Sequence, residues 1–232
     1  MTLKHWIILT FFAVAAAFAG ARADDAPLPR IGASERGWTP QPGDEIRFNV
    51  LRQSNAFGSH VVRFAEAPGG GLKAQTEVSL RAGLGPVTLF RYELNAEEIW
   101  RRGELVSVTG RVNDDGKRGN VSAKRENGRL SVQGTAFSGA APDVAVPASH
   151  WNYAQTKTRQ LLSTEDGEII SVNIVPRGRE TIRAAGREIE ANRYLLESDI
   201  NVDLWYDDEG RWVKLAFQAR GQQIEYVLDR MY

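Results

Sequence analysis

Two histidines, three acidic pairs and a set of aromatic rings are the side chains of this sequence that could do chemistry. Nucleophilic catalysis needs a Ser, Thr or Cys beside a base that a third group orients. The chain has no cysteine and three histidines. His5 lies in an apolar leader, which leaves His60 and His150 as bases. Ser149 directly precedes His150, but neighbours on a strand point to opposite faces. No G-x-S-x-G elbow is present either. Ser149 reads instead as the cap of a short helix, with His150 on its first turn.

Paired carboxylates can hydrolyse glycosidic bonds, and Asp114-Asp115, Asp207-Asp208 and Glu97-Glu98 are the candidates. The two Asp pairs stand in turn sequences, where the backbone favours Asp whatever the function. Asp207-Asp208-Glu209-Gly210 is too short for a calcium loop. Gly69-Gly70-Gly71 lacks the Lys-Ser/Thr and the helix of a phosphate loop. The missing cysteines exclude disulfides, thiolate zinc sites and iron–sulfur clusters. No catalytic residue, metal ligand or cofactor is therefore assigned, and a non-catalytic role is favoured over an enzyme. Arg177, Arg179, Arg183 and Arg187 read as a solvated strand face. The aromatics remain. Trp100, Trp151, Trp205, Tyr206 and Trp212 all fall near turns or element ends. Such rings either anchor a core or line a cup at the rim of a sheet. On the second reading Trp100, Trp151, Trp205 and Tyr206 are the candidate ligand contacts, with Trp151 at the mouth.

Those side chains sit in a chain of 232 residues with 29 basic and 29 acidic groups. A zero net charge leaves no excess of cations to neutralise phosphates, which argues against a nucleic-acid partner. Hydrophobic residues make up 42% and charged residues 25%, as in globular proteins. Lys4, the apolar run from Trp6 to Ala19 and Ala21-Arg22-Ala23 form the three parts of a secretory signal peptide, with cleavage expected after Ala23. No cysteine follows to carry a lipid, and no second apolar run of membrane-spanning length follows. Export without cysteine points to a bacterial periplasm. Residues 24–43 read as an extended lead, and residues 44–232 as one β-rich domain.

From Asp44 onward polar and apolar residues alternate, the signature of half-buried strands. Strands are expected at Glu45–Val50, His60–Ala65, Leu72–Leu84, Val87–Trp100, Leu105–Val112, Asn120–Arg125, Leu130–Phe137 and Glu168–Val175. The series continues at Glu180–Ala184, Glu188–Glu197, Val202–Tyr206, Arg211–Ala219 and Gln223–Leu228. Asp115-Gly116 and Asn127-Gly128 accept the positive φ of hairpin turns, and Pro176-Arg177-Gly178 reads as another turn. A short helix is expected over His150–Leu162. The fold class is all-β, a strongly curved antiparallel sheet or half-barrel with that one helix. Val213, Leu215 and Phe217 share one face of their strand, and Lys214 and Gln218 the other. Arg91-Tyr92-x-Leu94 leading to Trp100 is echoed by Arg193-Tyr194-x-Leu196 leading to Trp205. The echo fits a duplicated hairpin or two strands obeying the same rules.

Gly58-Ser59-His60 with Phe64, Tyr92…Glu98-x-Trp100-x-x-Gly103-x-Leu105, Pro147-x-Ser149-x-Trp151, and Leu204-Trp205-Tyr206-Asp207 with Gly210-Arg211-Trp212 occur in that order. In this the chain resembles an exported proteobacterial family, domain-of-unknown-function family 6134, over most of Asp44 to Leu228. The resemblance implies an exported β-rich domain and carries no activity or site residue. The expectation is a periplasmic binding or carrier module for an apolar or amphipathic envelope molecule. The alternatives are an envelope-polymer hydrolase with paired carboxylates, and a docking protein for an envelope partner.

Overall fold

The computed structural model describes residues 38–84, 87–143, 145–219 and 221–231. The signal peptide, its cleavage site and the lead up to Gly37 lie outside the described residues. The strands are β1 (Glu45–Arg52), β2 (Asn55–Glu66), β3 (Leu72–Leu84), β4 (Val87–Arg101), β5 (Glu104–Asp114), β6 (Lys117–Glu126), β7 (Arg129–Gly134) and β8 (Ser138–Ala140). After them come β9 (Val146–Pro147), β10 (Gln160–Leu162), β11 (Ile169–Ser171), β12 (Asn173–Ala184), β13 (Arg187–Glu197), β14 (Val202–Asp207), β15 (Trp212–Ala219) and β16 (Gln222–Met231).

Thirteen strands form one antiparallel sheet in the order β12-β13-β14-β15-β16-β1-β2-β3-β4-β5-β6-β7-β8. The sheet is open, with β12 and β8 at its edges. Alternation sets its concave face. Along β4 the even residues Phe90, Tyr92, Leu94, Ala96, Glu98 and Trp100 are all buried, while Glu97 and Arg91 lie opposite in solvent. Leu80, Val78, Thr76, Ala74 and Leu72 of β3 pair with Tyr92, Leu94, Ala96, Glu98 and Trp100.

The concave face is covered by the connector between β8 and β12. Its β9, β10 and β11 form a separate three-stranded sheet, and Trp151, Gln155, Leu161 and Leu162 are buried within it. Here the expected helix over His150–Leu162 is corrected. The segment holds only a 3-10 turn, Tyr153–Lys157, followed by β10. Its cap is Asn152, whose side chain accepts from the Ala154 N–H at 3.0 Å, not Ser149. His150 has φ +64°, a left-handed backbone that a right-handed helix does not admit.

A second correction concerns Pro176-Arg177-Gly178. These residues do not turn the chain. They lie within β12, which runs from Asn173 to Ala184 with a bulge at Pro176/Gly178. Proline is tolerated there because β12 is an edge strand. The strand expected over Glu168–Val175 is divided at Val172 between β11 and β12. The sequence echo is not a duplicated hairpin, because Tyr92 and Trp100 share β4 whereas Tyr194 and Trp205 occupy β13 and β14. Among the described residues no helix is long and apolar enough to cross a membrane.

Candidate functional site

The four aromatics singled out in the sequence go to three places. Trp100 and Trp151 meet edge to face at 5.8 Å and are 3% and 1% exposed. Their indole N–H groups both donate to Glu98, to Oε2 at 2.9 Å and to Oε1 at 3.2 Å. Phe64 packs against Trp151 and Trp38, so this end of the half-barrel is solid. Trp205 lies on the convex face, opposite in parity to Leu204. Its cross-strand neighbours Arg193 and Lys214 sit over its ring at 5.2 and 5.1 Å, and its N–H donates to Glu180. Tyr206 faces inward, donates to the His150 carbonyl at 2.8 Å and accepts from Gln155. These contacts anchor the 3-10 turn to the sheet.

The opposite end is hollow. A cavity of about 160 Å³ lies between the sheet and the connector. Phe57, Leu80, Tyr92 and Leu94 line it from β2–β4, and Leu215, Phe217, Ile224 and Tyr226 from β15 and β16. The connector contributes His150, Leu161, Glu165 and Asp166. Trp100, Trp151, Trp205 and Tyr206 are not on its wall. Leu215 and Phe217 are, on the strand face they share by alternation.

His60 and His150 both reach this cavity. His60 projects from β2 among the rings of Phe48, Trp212 and Tyr226. His150 also touches Trp212, with centroids 5.6 Å apart. Burial drives the His60 imidazole down to about 3, with His150 adding to the effect. Burial likewise drives His150 down to about 4, opposed by its hydrogen bond with Gln155. Both rings are neutral at pH 7. Either tautomer of neutral His60 has one donor and one acceptor, and neither nitrogen has a hydrogen-bond partner among the described residues.

Glu165 is the acidic group of the cavity wall. Tyr92 donates to its Oε1 at 2.8 Å. Burial pushes the carboxyl up to about 7, and the negative charges of Asp166 and Asp114 push the same way against the Tyr92 bond. Its position is set by an unusual contact. The backbone of Thr164 to Gly167 lies flat against three inner-face glycines, Gly110, Gly119 and Gly134. A Cβ on Gly110 would stand 1.8 Å from the Thr164 carbonyl oxygen, and one on Gly134 2.1 Å from that of Asp166. The Ala136 N–H holds the same Asp166 carbonyl at 3.0 Å. The sequence carries a signal for this contact, since glycine inside a strand marks close backbone approach. It does not say which backbone approaches.

The acidic pairs are separated by alternation. Glu98 is buried while Glu97 faces solvent. Asp207 is ion-paired to Arg211, and Asp208 to Arg179 on the surface. Asp114 is buried, and Asp115 is in the exposed hairpin turn. No group of three or more acidic or histidine side chains is placed to hold a metal ion among the described residues.

The chain is similar in fold to the crystal structure of a β-barrel-like protein of domain of unknown function DUF1849 from Brucella abortus. The identity is 10% and the TM-score 0.57, over 83% of this chain and 98% of that one. No curated protein matches the sequence. A family model matches residues 48–229, a span that contains the serial motifs around His60, Tyr92–Leu105, Trp151 and Trp205–Trp212, and the chain belongs to that family, Domain of unknown function (DUF6134).

Proposed function

We propose that the protein is a non-catalytic binding module of the periplasm, holding a small apolar or amphipathic envelope molecule in the cavity between sheet and connector. The observation that carries this is the cavity itself, whose exposed wall is mostly apolar, from Phe57, Leu80, Leu94, Leu215, Phe217 and Ile224, with polar groups such as His60 and Glu165 set into it. Small-molecule sites have that composition. Its size limits the occupant. A volume of about 160 Å³ is that of an apolar cavity which admits benzene, and it lies below the roughly 300–1,000 Å³ of drug-sized sites. A ring-sized molecule or the end of a chain fits, and a whole phospholipid does not. The two alternatives have less support. A polymer does not fit the cavity and the acidic pairs are split between faces. Leu89 is the one large hydrophobic residue exposed among the described residues, which leaves no apolar patch for docking.

The test is titration of the mature protein with benzyl alcohol and toluene, followed by tryptophan emission and by the imidazole resonances of His60 and His150. Saturable binding that shifts the His60 resonance is expected. Absence of saturable binding at millimolar ligand ends this reading.

A further inference from the structure

We propose that the occupant is a small organic cation, an amine with an apolar body, whose ammonium group pairs with Glu165. The inference rests on the binding role above and adds the charge of the ligand. Five observations converge. No Lys or Arg lines the cavity, whereas Glu165 and Asp166 do, with Asp114 close enough to raise Glu165. Both histidines of the wall are neutral and supply no positive charge. Glu165 makes one side-chain hydrogen bond, from Tyr92 to Oε1, and no ion pair among the described residues. By contrast Asp203 is paired with Arg193, Asp207 with Arg211 and Glu93 with Arg91. A carboxylate taken out of water without a partner is costly, and an ammonium ion meets that need. The wall also offers the rings of Phe57, Tyr92 and Tyr226, and aromatic faces attract cations. His60, 5% exposed and without a hydrogen-bond partner on either nitrogen, supplies an acceptor for a second ammonium N–H. An anion in the same space would meet Glu165 and Asp166 with no Lys or Arg on the wall.

The groups facing Glu165 are Tyr92, Asp114, Asp166 and Tyr226, with His60 and His150 on the same wall. Glu165 itself titrates at about 7 in the folded state. A bound cation favours the carboxylate, so binding releases a proton and tightens as pH rises through 7.

The experiment is calorimetric titration of the mature protein with benzylamine, benzyl alcohol and benzoate at pH 6 and pH 8. Benzylamine keeps its charge over this range. It is expected to bind at pH 8 at least about tenfold more tightly than benzyl alcohol, with benzoate undetected. Its affinity is expected to rise about tenfold from pH 6 to pH 8, while that of benzyl alcohol stays level. Glu165→Gln should bring the two ligands within about twofold. Benzyl alcohol binding as tightly as benzylamine, a flat pH response, or an amine preference that survives Glu165→Gln overturns the cation and leaves the binding site standing. Failure of all three ligands to bind overturns both. The pH series on the native protein decides the matter even where the variant does not fold.

Discussion

Strand β4 crosses the half-barrel from one end to the other, and its two ends treat a buried carboxylate differently. At Glu98 both oxygens accept an indole N–H, from Trp100 and Trp151, and Phe64 and Trp38 extend the packing. Six residues along, ~20 Å away, Tyr92 donates to Glu165, and beside that pair lies empty space. Burial raises both carboxyls above their ordinary value. At the first end the indole N–H groups of Trp100 and Trp151 oppose the rise. At the second, Tyr92 opposes it but Asp166 and Asp114 add to it. The same sheet thus provides a saturated acid that is part of the framework and an under-coordinated acid that has room for a ligand.

The sharpest break of this contrast is Trp151→Ala. The substitution removes a ring 1% exposed and one of the two donors to Glu98. Truncating a buried Trp costs ~3–5 kcal/mol, and leaving a buried acceptor short adds to it, so a loss of about 4–5 kcal/mol is expected in denaturant unfolding. A loss below about 2 kcal/mol would mean that the tryptophan end is not the framework. Next is Gly110→Ala. The new methyl must displace the Thr164 carbonyl, at a cost of about 2–3 kcal/mol for overpacking. Because that carbonyl belongs to the loop carrying Glu165, amide exchange at Thr164–Gly167 should accelerate while the Trp100–Trp151 region keeps its protection. Uniform acceleration would refute the separation of the two ends.

Much of this is legible in the sequence, for a definable reason. Leu72–Leu84 reads as a strand and is β3 from end to end, because each alternate residue from Leu72 to Leu80 meets the core. Trp205 and Trp212 stand on adjacent strands across Asp207 to Gly210, as their turn sequence requires. The connector is not legible. Its conformation is imposed by contacts outside itself, from Glu98 on Trp151, from Tyr206 on Gln155 and His150, and from three glycines on Thr164–Gly167. The approach of His150 to His60 is likewise a product of where the connector crosses the sheet, which alternation does not encode. Ring type tells that the aromatics matter. It does not tell which of them face the concave side, and the cavity wall uses Phe57, Tyr92, Phe217 and Tyr226 instead of the tryptophans.

Glu165→Gln separates the ends by pH. The folded carboxyl titrates at about 7 against an ordinary 4.5. A raised carboxyl contributes stability that is present below 4.5 and lost as pH rises through 7, because the folded state resists ionisation there. The neutral amide does not suffer this loss. Each tenfold difference in proton affinity between the folded and unfolded chain is worth ~1.4 kcal/mol. Relative to the native protein the variant should therefore gain about 3.5 kcal/mol at pH 8 and close to nothing at pH 4.5. Urea unfolding at the two pH values measures it. A gain that is the same at both would show that Glu165 is already fully paired.

The smallest effect tests whether the hollow end is hollow in energetic terms. Phe217 lines the cavity and is half-buried, whereas Phe64 at the packed end is 3% exposed with tryptophans on two sides. Both are phenylalanines facing the concave side of one sheet, so their removal compares the ends with chemistry held constant. Cutting Phe64 to Ala leaves a new void among rings that do not collapse, and ~3–5 kcal/mol is expected. Cutting Phe217 to Ala enlarges a space that already exists, with fewer contacts to lose, and about 1–2 kcal/mol is expected. The enlarged cavity should then accept a two-ring probe such as naphthalene, which the native volume excludes. Equal losses for Phe64→Ala and Phe217→Ala, with no change in the size of probe admitted, would mean that the space beside Glu165 is closed by packing in solution, and the division of the half-barrel into a framework end and a binding end would fall.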